Sequence, residues 1–321
     1  MSHASATLPE PCGVALDARL AEVTALCLDT LASEFAGFTE RVPSPCHTPE
    51  QWFAELRKAP SSKVAVEILA RMRDTAAAPG MPRPFGGAVR HALLQAMLAA
   101  LPRVPALPVE PFVKHLCCDM FTLIARPKPQ WEDHFHETHW RFVELVKLVT
   151  LRRLPAGQHD WVIDGLPRSW LLGIPLPKWP GLLWEVAQGF GAFSPLAAIH
   201  HNPWRANPLI LGSEANRSVW LIAKSLQRQP EVRGLIGRSW FYSSVVSEVS
   251  PHLAWLRGFF VENGAYVVEM EEAKPNAGFL IGSTRRRKLY EEGKFRPRVT
   301  LVLWRRADML AWADAHPEFA P

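Results

Sequence analysis

Ser283 to Trp304 reads STRRRKLYEEGKFRPRVTLVLW. It predicts a short basic helix over about Thr284–Glu292, a turn, and a β-strand over Val299–Trp304. Working back, Tyr266–Met270 reads as a strand, and Ser250-Pro251 starts a helix that runs to about Phe259. Val232–Tyr242 (VRGLIGRSWFY) reads as a buried strand, and Ser213 caps a helix from about Glu214 to Gln229. Strands alternating with helices predict an α/β layer. Upstream of it, Pro155, Pro167, Pro175, Pro177 and Pro180 interrupt a Trp-rich stretch where long helices cannot run. Trp161-Val162-Ile163 and Leu182-Leu183-Trp184 are short strand candidates there.

The first half reads differently. Leu16, Leu20, Val23, Cys27, Leu31 and Phe35 fall at helical spacing. Thr48-Pro49-Glu50-Gln51 is a capping box with proline at the first helical position. Further helical patterns cover about 62–75, 86–101, 110–125 and 130–152, with no convincing strand before 155. The expected organisation is a lead over 1–13, an all-helical part over 14–152 and an α/β part over 153–321. All three tyrosines lie in the last eighty or so residues, so the halves differ in composition too.

Composition narrows the function classes. A net charge of +5 permits an anionic ligand without requiring one. The five cysteines form no C-x-x-C pair, so neither a disulfide framework nor a zinc ribbon is expected. MSHASATLPEPCG lacks a basic region followed by an apolar core, and no run of eighteen apolar residues occurs; a cytoplasmic protein with no membrane span is expected. The tryptophans are scattered rather than interleaved with Lys and Arg, so nucleic acid is not an expected partner. No G-x-S-x-G is present, and Gly189-Phe190-Gly191 is not a phosphate loop.

The 283–304 segment resembles the closing strand–helix–strand of GNAT-type N-acyltransferases. The helix of that family often carries N-x-x-A-x-x-L-Y followed by a G-F pair. Leu289-Tyr290 matches the L-Y pair, and Gly293 and Phe295 resemble the G-F pair with Lys294 between them. Ser283 and Arg286 stand at the N and A positions, and the loop corresponding to the Gly-rich phosphate turn, Ser239–Ser250, has no Gly. The resemblance implies a GNAT-like mixed β-sheet with flanking helices, an acyl-CoA or other acyl thioester as donor, and a small amine or amino acid as acceptor. It places Tyr290 as the residue that protonates the departing sulfur. Independently of the family, Ile281–Arg306 holds nine basic residues and two acidic ones. Arg285, Arg286, Arg287 and Lys288 suit a phosphate or carboxylate, or else form a solvated face. The plainer role for Tyr290 is packing.

Two other clusters carry chemistry. In Glu132–His139 (EDHFHETH), Glu132 and His136 are i, i+4 and His136 and His139 are i, i+3, so they share a helix face. Two imidazoles and a carboxylate suit Fe(II), which makes a metal-dependent oxygenase the alternative function, with His200, His201 or Glu214 completing the set. His139 also lies on an apolar stripe and reads equally as a core histidine. The second cluster is Ser194–Arg217, read as a polar loop entering a helix. Here His201, Arg205 and Arg217 are candidate substrate contacts. Alternation along the 232–242 strand sets Trp240 and Tyr242 on one face, where their N–H and O–H groups either line a pocket or are satisfied by backbone carbonyls in a core. A non-catalytic binding protein is the second alternative.

Overall fold

The computed structural model describes residues 15–34, 84–126, 140–190, 194–202, 212–274 and 283–321. It divides into two units: one comprises Pro108–Glu110 with 156–321, the other the described residues up to Leu107 and from Pro111 to Pro155.

The latter unit is helical: α1 Leu16–Glu34, α2 Pro84–Ala100, α3 Pro111–Ala125 and α4 Trp140–Val149. α1 buries Val23 and Cys27 of the stripe that its sequence displays, and Leu26 beside them. α3 buries Phe112, Val113, Leu116 and Met120. Between the two helices Arg19 Nη2 donates to Asp119 Oδ1 at 2.5 Å. Arg90 on α2 pairs with Glu34 and also donates to the Ala125 carbonyl at 2.9 Å, tying off the end of α3. Burial pushes the Cys27 and Cys118 thiols up to about 11, so both stay protonated and inert at neutral pH.

The other unit carries the sheet. Its strands are β2 His159–Asp164, β3 Leu196–His201, β4 Gly234–Ser239, β5 Tyr266–Glu272 and β6 Arg298–Arg305; β1, Arg153–Ala156, falls at the division between the units, with Arg153–Pro155 in the helical one. The order across the sheet is β1-β2-β3-β4-β6-β5. β3 and β4 run parallel; β2–β3, β4–β6 and β5–β6 are antiparallel. The helices are α5 Trp179–Glu185, α6 Gly212–Gln227, α7 Ala254–Glu262, α8 Thr284–Glu291 and α9 Arg306–Ala315. A helical part followed by a mixed sheet with flanking helices is therefore the architecture. Among the described residues, no helix is long and apolar enough to cross a membrane.

Each sheet face has its own core. Leu196, Ala198, Ile236, Val268, Leu301 and Leu303 meet Ile174, Leu182 and Phe190 from the segment between β2 and β3. On the opposite face Trp304, fully buried, takes the edges of Phe259 and Phe260 from α7 at 5.6 and 5.9 Å. α6 joins the same layer through Trp220 Nε1, which donates to the Ala313 carbonyl of α9 at 3.0 Å.

Three details differ from the sequence reading. Leu182–Trp184 is helical: Pro180 sits in the first turn of α5, and only Leu182 of the three is buried. Leu196–His201 is a strand rather than loop. β4 ends at Ser239, and Trp240–Tyr242 forms a 3₁₀ turn because Ser239 Oγ accepts from the Phe241 N–H at 3.2 Å.

Candidate active site

β3 and β4 form the sheet's parallel pair, joined by a crossover that contains α6. Their register covers two residue pairs, Ala197↔Leu235 and Ala198↔Ile236. Beyond that point β3 stays paired with β2 out to His201, and β4 with β6 out to Ser239. The carboxyl ends of parallel strands are where open sheets bind ligands. The amino end of α6 follows β3 in the chain. It is anchored through its first turns: Gln158 Nε2 donates to Glu214 Oε2, and the Gln158 N–H donates to Ser218 Oγ, both at 2.9 Å.

One face of this pair is aromatic. Trp161 lies opposite Ile199, and both are buried. A Cβ on Gly237 would stand 3.2 Å from Ile199 Cγ2 and 3.3 Å from the Tyr242 ring, which places Tyr242 on that same face. Tyr242 is 6% exposed and sets its ring at 90° to Phe260. Burial pushes its phenol well above the usual range. Trp161 Nε1 meets no hydrogen-bond partner among the described residues.

The 240–245 turn is held from several sides. Arg257 Nη1 donates to the Tyr242 carbonyl at 2.8 Å. Glu269 Oε1 accepts from the Ser244 N–H at 2.7 Å and its hydroxyl at 2.8 Å. Partial burial alone would raise the Glu269 carboxyl; the Ser244 hydrogen bonds and the Arg257 and Arg298 charges outweigh it and leave the carboxyl below its usual range. A depressed carboxylate stabilises the fold above its unfolded-state pKa of about 4.3 and ceases to do so as pH falls through the lower folded value. Urea titrations of wild type and Glu269→Gln should show a stability gap at pH 7 that closes progressively below pH ~4.

α8 reaches the same turn. Ser283 caps it by accepting from the Arg286 N–H at 3.2 Å. The Arg286 guanidinium lies 5.3 Å from the centroid of the Trp240 ring, and Nη1 reaches Ser250 Oγ at 3.5 Å. Burial lowers the Arg286 pKa from its ordinary value, and it stays charged at neutral pH. Arg285, Arg287 and Lys288 face outward. Arg286 and Trp240, chosen separately from sequence, are thus in contact.

The remaining candidates are placed as follows. Tyr290 is half-buried on α8 with the Arg296 guanidinium 4.4 Å from its ring centroid. His201 ends β3 instead of lying in a loop; it faces His159 across the sheet, ring centroids 6.3 Å apart. Arg217 is half-buried on α6. Arg205, Glu132, His136 and His139 lie outside the described residues. Among the described residues, no group of three or more His, Cys, Asp or Glu could hold a metal ion. Sequence reasoning overlooked Asp160, Gln158 and Arg238. The HDW alternation of 159–161 was a signal for the first.

No protein-family model matches the chain, and no curated protein matches it. Among solved structures, an acyltransferase in complex with decanoyl-CoA is similar over 88% of this chain and 98% of its own, at 13% identity and a TM-score of 0.36. At that TM-score the likeness carries no weight for fold or function.

Proposed function

We propose that the protein is a GNAT-type N-acyltransferase that moves an acyl group from a thioester donor, acyl-CoA in the first instance, to a small amine or amino acid. The observation that carries this reading is the parallel β3–β4 pair, whose register covers two residue pairs ahead of the carboxyl ends of both strands. A thioester lying between the two carboxyl ends would meet backbone N–H groups of β4, which polarise its carbonyl. Donor phosphates would be met by Arg285, Arg286, Arg287 and Lys288 of α8 together with the α6 amino end. His201, Arg205, Arg217, Trp240 and Tyr242 would surround the reacting groups.

The amine nitrogen attacks the thioester carbon, an N–C bond forms and the C–S bond breaks. Tyr290 gives its proton to the departing sulfur, and the proton lost from nitrogen restores the phenol. The alternative Fe(II) chemistry of Glu132, His136 and His139 is supported by no observation among the described residues.

Calorimetric titration with coenzyme A tests the reading. A Kd of about 1–100 μM is expected, in the range of ordinary enzyme substrates. Absence of heat at ~1 mM, with the fold intact by circular dichroism, would reject it.

A further inference from the structure

The sheet face opposite Tyr242 carries a second, polar arrangement at the same strand ends. Ala198 and Ile236 are paired across β3 and β4, and both belong to the core under α5. Two residues further along each strand the side chains return to that face: His200 on β3 and Arg238 on β4. Both are exposed, so the apolar core stops at this level and a cation and an imidazole take over. Asp160 stands directly opposite His200 on β2 and is 0% exposed. A carboxylate and an imidazole directly opposite on neighbouring strands are within interaction range.

Arg238 is held in place rather than waving in solvent. Its Nη2 donates to Glu271 Oε1 at 2.7 Å, and its guanidinium lies 5.3 Å from the Trp170 ring centroid. One edge of the fork is engaged. A guanidinium has five N–H donors in a plane, so a second edge stays available for a bidentate carboxylate. Glu271 in turn is tucked against Gly173, where a Cβ would fall 2.2 Å from Glu271 Oε2. The close approach of the 166–190 segment therefore fixes the Glu271–Arg238 pair.

We infer that the acceptor is an amine that also bears a carboxylate, such as an α-amino acid: Arg238 binds the carboxylate, and His200 takes the proton from the ammonium group, with Asp160 as the positioning residue behind it. The role of His200 rests on the acyl-transfer reading; the carboxylate site does not. His200 and Arg238 each stand two residues beyond the registered Ala198↔Ile236 pair and on the same face, so a molecule with its two charges a few bonds apart spans them. In the reaction the ammonium loses one proton to the His200 imidazole and the free amine attacks the thioester carbon. The nitrogen loses its second proton as the C–S bond breaks and the sulfur is protonated. The products are the amide, the thiol and one proton on His200.

The test is calorimetric titration of the wild-type chain with the twenty L-amino acids and their C-terminal amides, repeated with Arg238→Gln, His200→Gln and Asp160→Asn, each checked for folding by circular dichroism. At least one free amino acid should bind at least about tenfold more tightly than its amide. Arg238→Gln should abolish that preference. With acetyl-CoA as donor, His200→Gln and Asp160→Asn should leave the Kd unmoved and lower kcat, the former by about a hundredfold. Binding of no amino acid by folded wild type, or a preference that survives Arg238→Gln, overturns the inference, as does an unchanged kcat in His200→Gln for the base assignment. If amino acids bind as stated while coenzyme A does not, the acyl-transfer reading fails and the carboxylate site stands. If coenzyme A binds and amino acids and their amides are acylated equally well, the reverse holds.

Discussion

Gly234→Ala should lower the stability of the sheet unit by about 3 kcal/mol or more, at the upper end of overpacking substitutions. Gly234 opens β4 and pairs with Arg305 of β6. A Cβ at this position would stand 2.3 Å from the Trp304 carbonyl oxygen, 2.9 Å from Phe190 Cε1 and 3.1 Å from the Arg306 N–H nitrogen. Two of these neighbours are backbone atoms of the adjoining strand and the helix that follows it, so no rotamer change relieves the contact. Relief requires β4 to move away from β6, and that breaks the ladder where the Arg306 N–H also donates to the Arg233 carbonyl at 3.0 Å. Phe190 belongs to the core on one face of the sheet and Trp304 to the other, so the displacement disturbs both. Urea denaturation should show the midpoint falling with an unchanged slope. Gly165→Ala is the control: a Cβ there meets nothing within 4 Å, and the same experiment should show almost no change.

The helices were legible because their apolar residues recur along one stripe. α1 buries Val23 and Cys27 of the stripe read from its spacing and leaves Leu16, Leu20 and Leu31 half-buried, while Leu26 and Thr30, outside that stripe, are buried as well. β6 was legible as an apolar run bounded by basic residues, Arg298 and Arg305. β3 was not. Leu196 to Ile199 is buried on both faces, so it shows no alternation, and its two alanines have low strand propensity. His200 and His201, which follow, look like loop residues in isolation. Leu182–Trp184 was misread because three apolar residues are too few to reveal a period. The deciding residue is Pro180, whose fixed φ suits a first helical turn.

At the site, residue types were easier to read than their arrangement. Arg286 and Trp240 were both legible as ligand-type residues, but their contact depends on α8 folding back to the turn after β4. Strand alternation set Trp240 and Tyr242 on one face; the Ser239 hydroxyl, by capping Phe241, ends the alternation at that point. Arg238 and Asp160 were passed over because each is unremarkable in its own segment. They matter only where β2, β3 and β4 come side by side, and that adjacency follows from β3, the strand that sequence reasoning took for a loop.

Tyr290→Phe should lower kcat by about a hundredfold with KM and folding unchanged, and Tyr242→Phe should not match it. The first substitution keeps the ring that packs under the Arg296 guanidinium, so the cation–π contact and the half-buried face of α8 survive. What is lost is the proton offered to the departing sulfur, and general-acid contributions run to about 10²–10⁴-fold. The second removes a hydroxyl whose ionisation burial already disfavours. Tyr242→Phe keeps the ring and its T-shaped contact with Phe260, so the melting temperature should move little. The pair of variants therefore separates chemistry from packing. Initial rates with acetyl-CoA and a bound acceptor, together with thermal melts of both proteins, decide it. A full rate in Tyr290→Phe removes that residue from the mechanism. If kcat then falls in Tyr242→Phe, the acid sits near the carboxyl ends of β3 and β4, on the face where Gly237 leaves room for its ring.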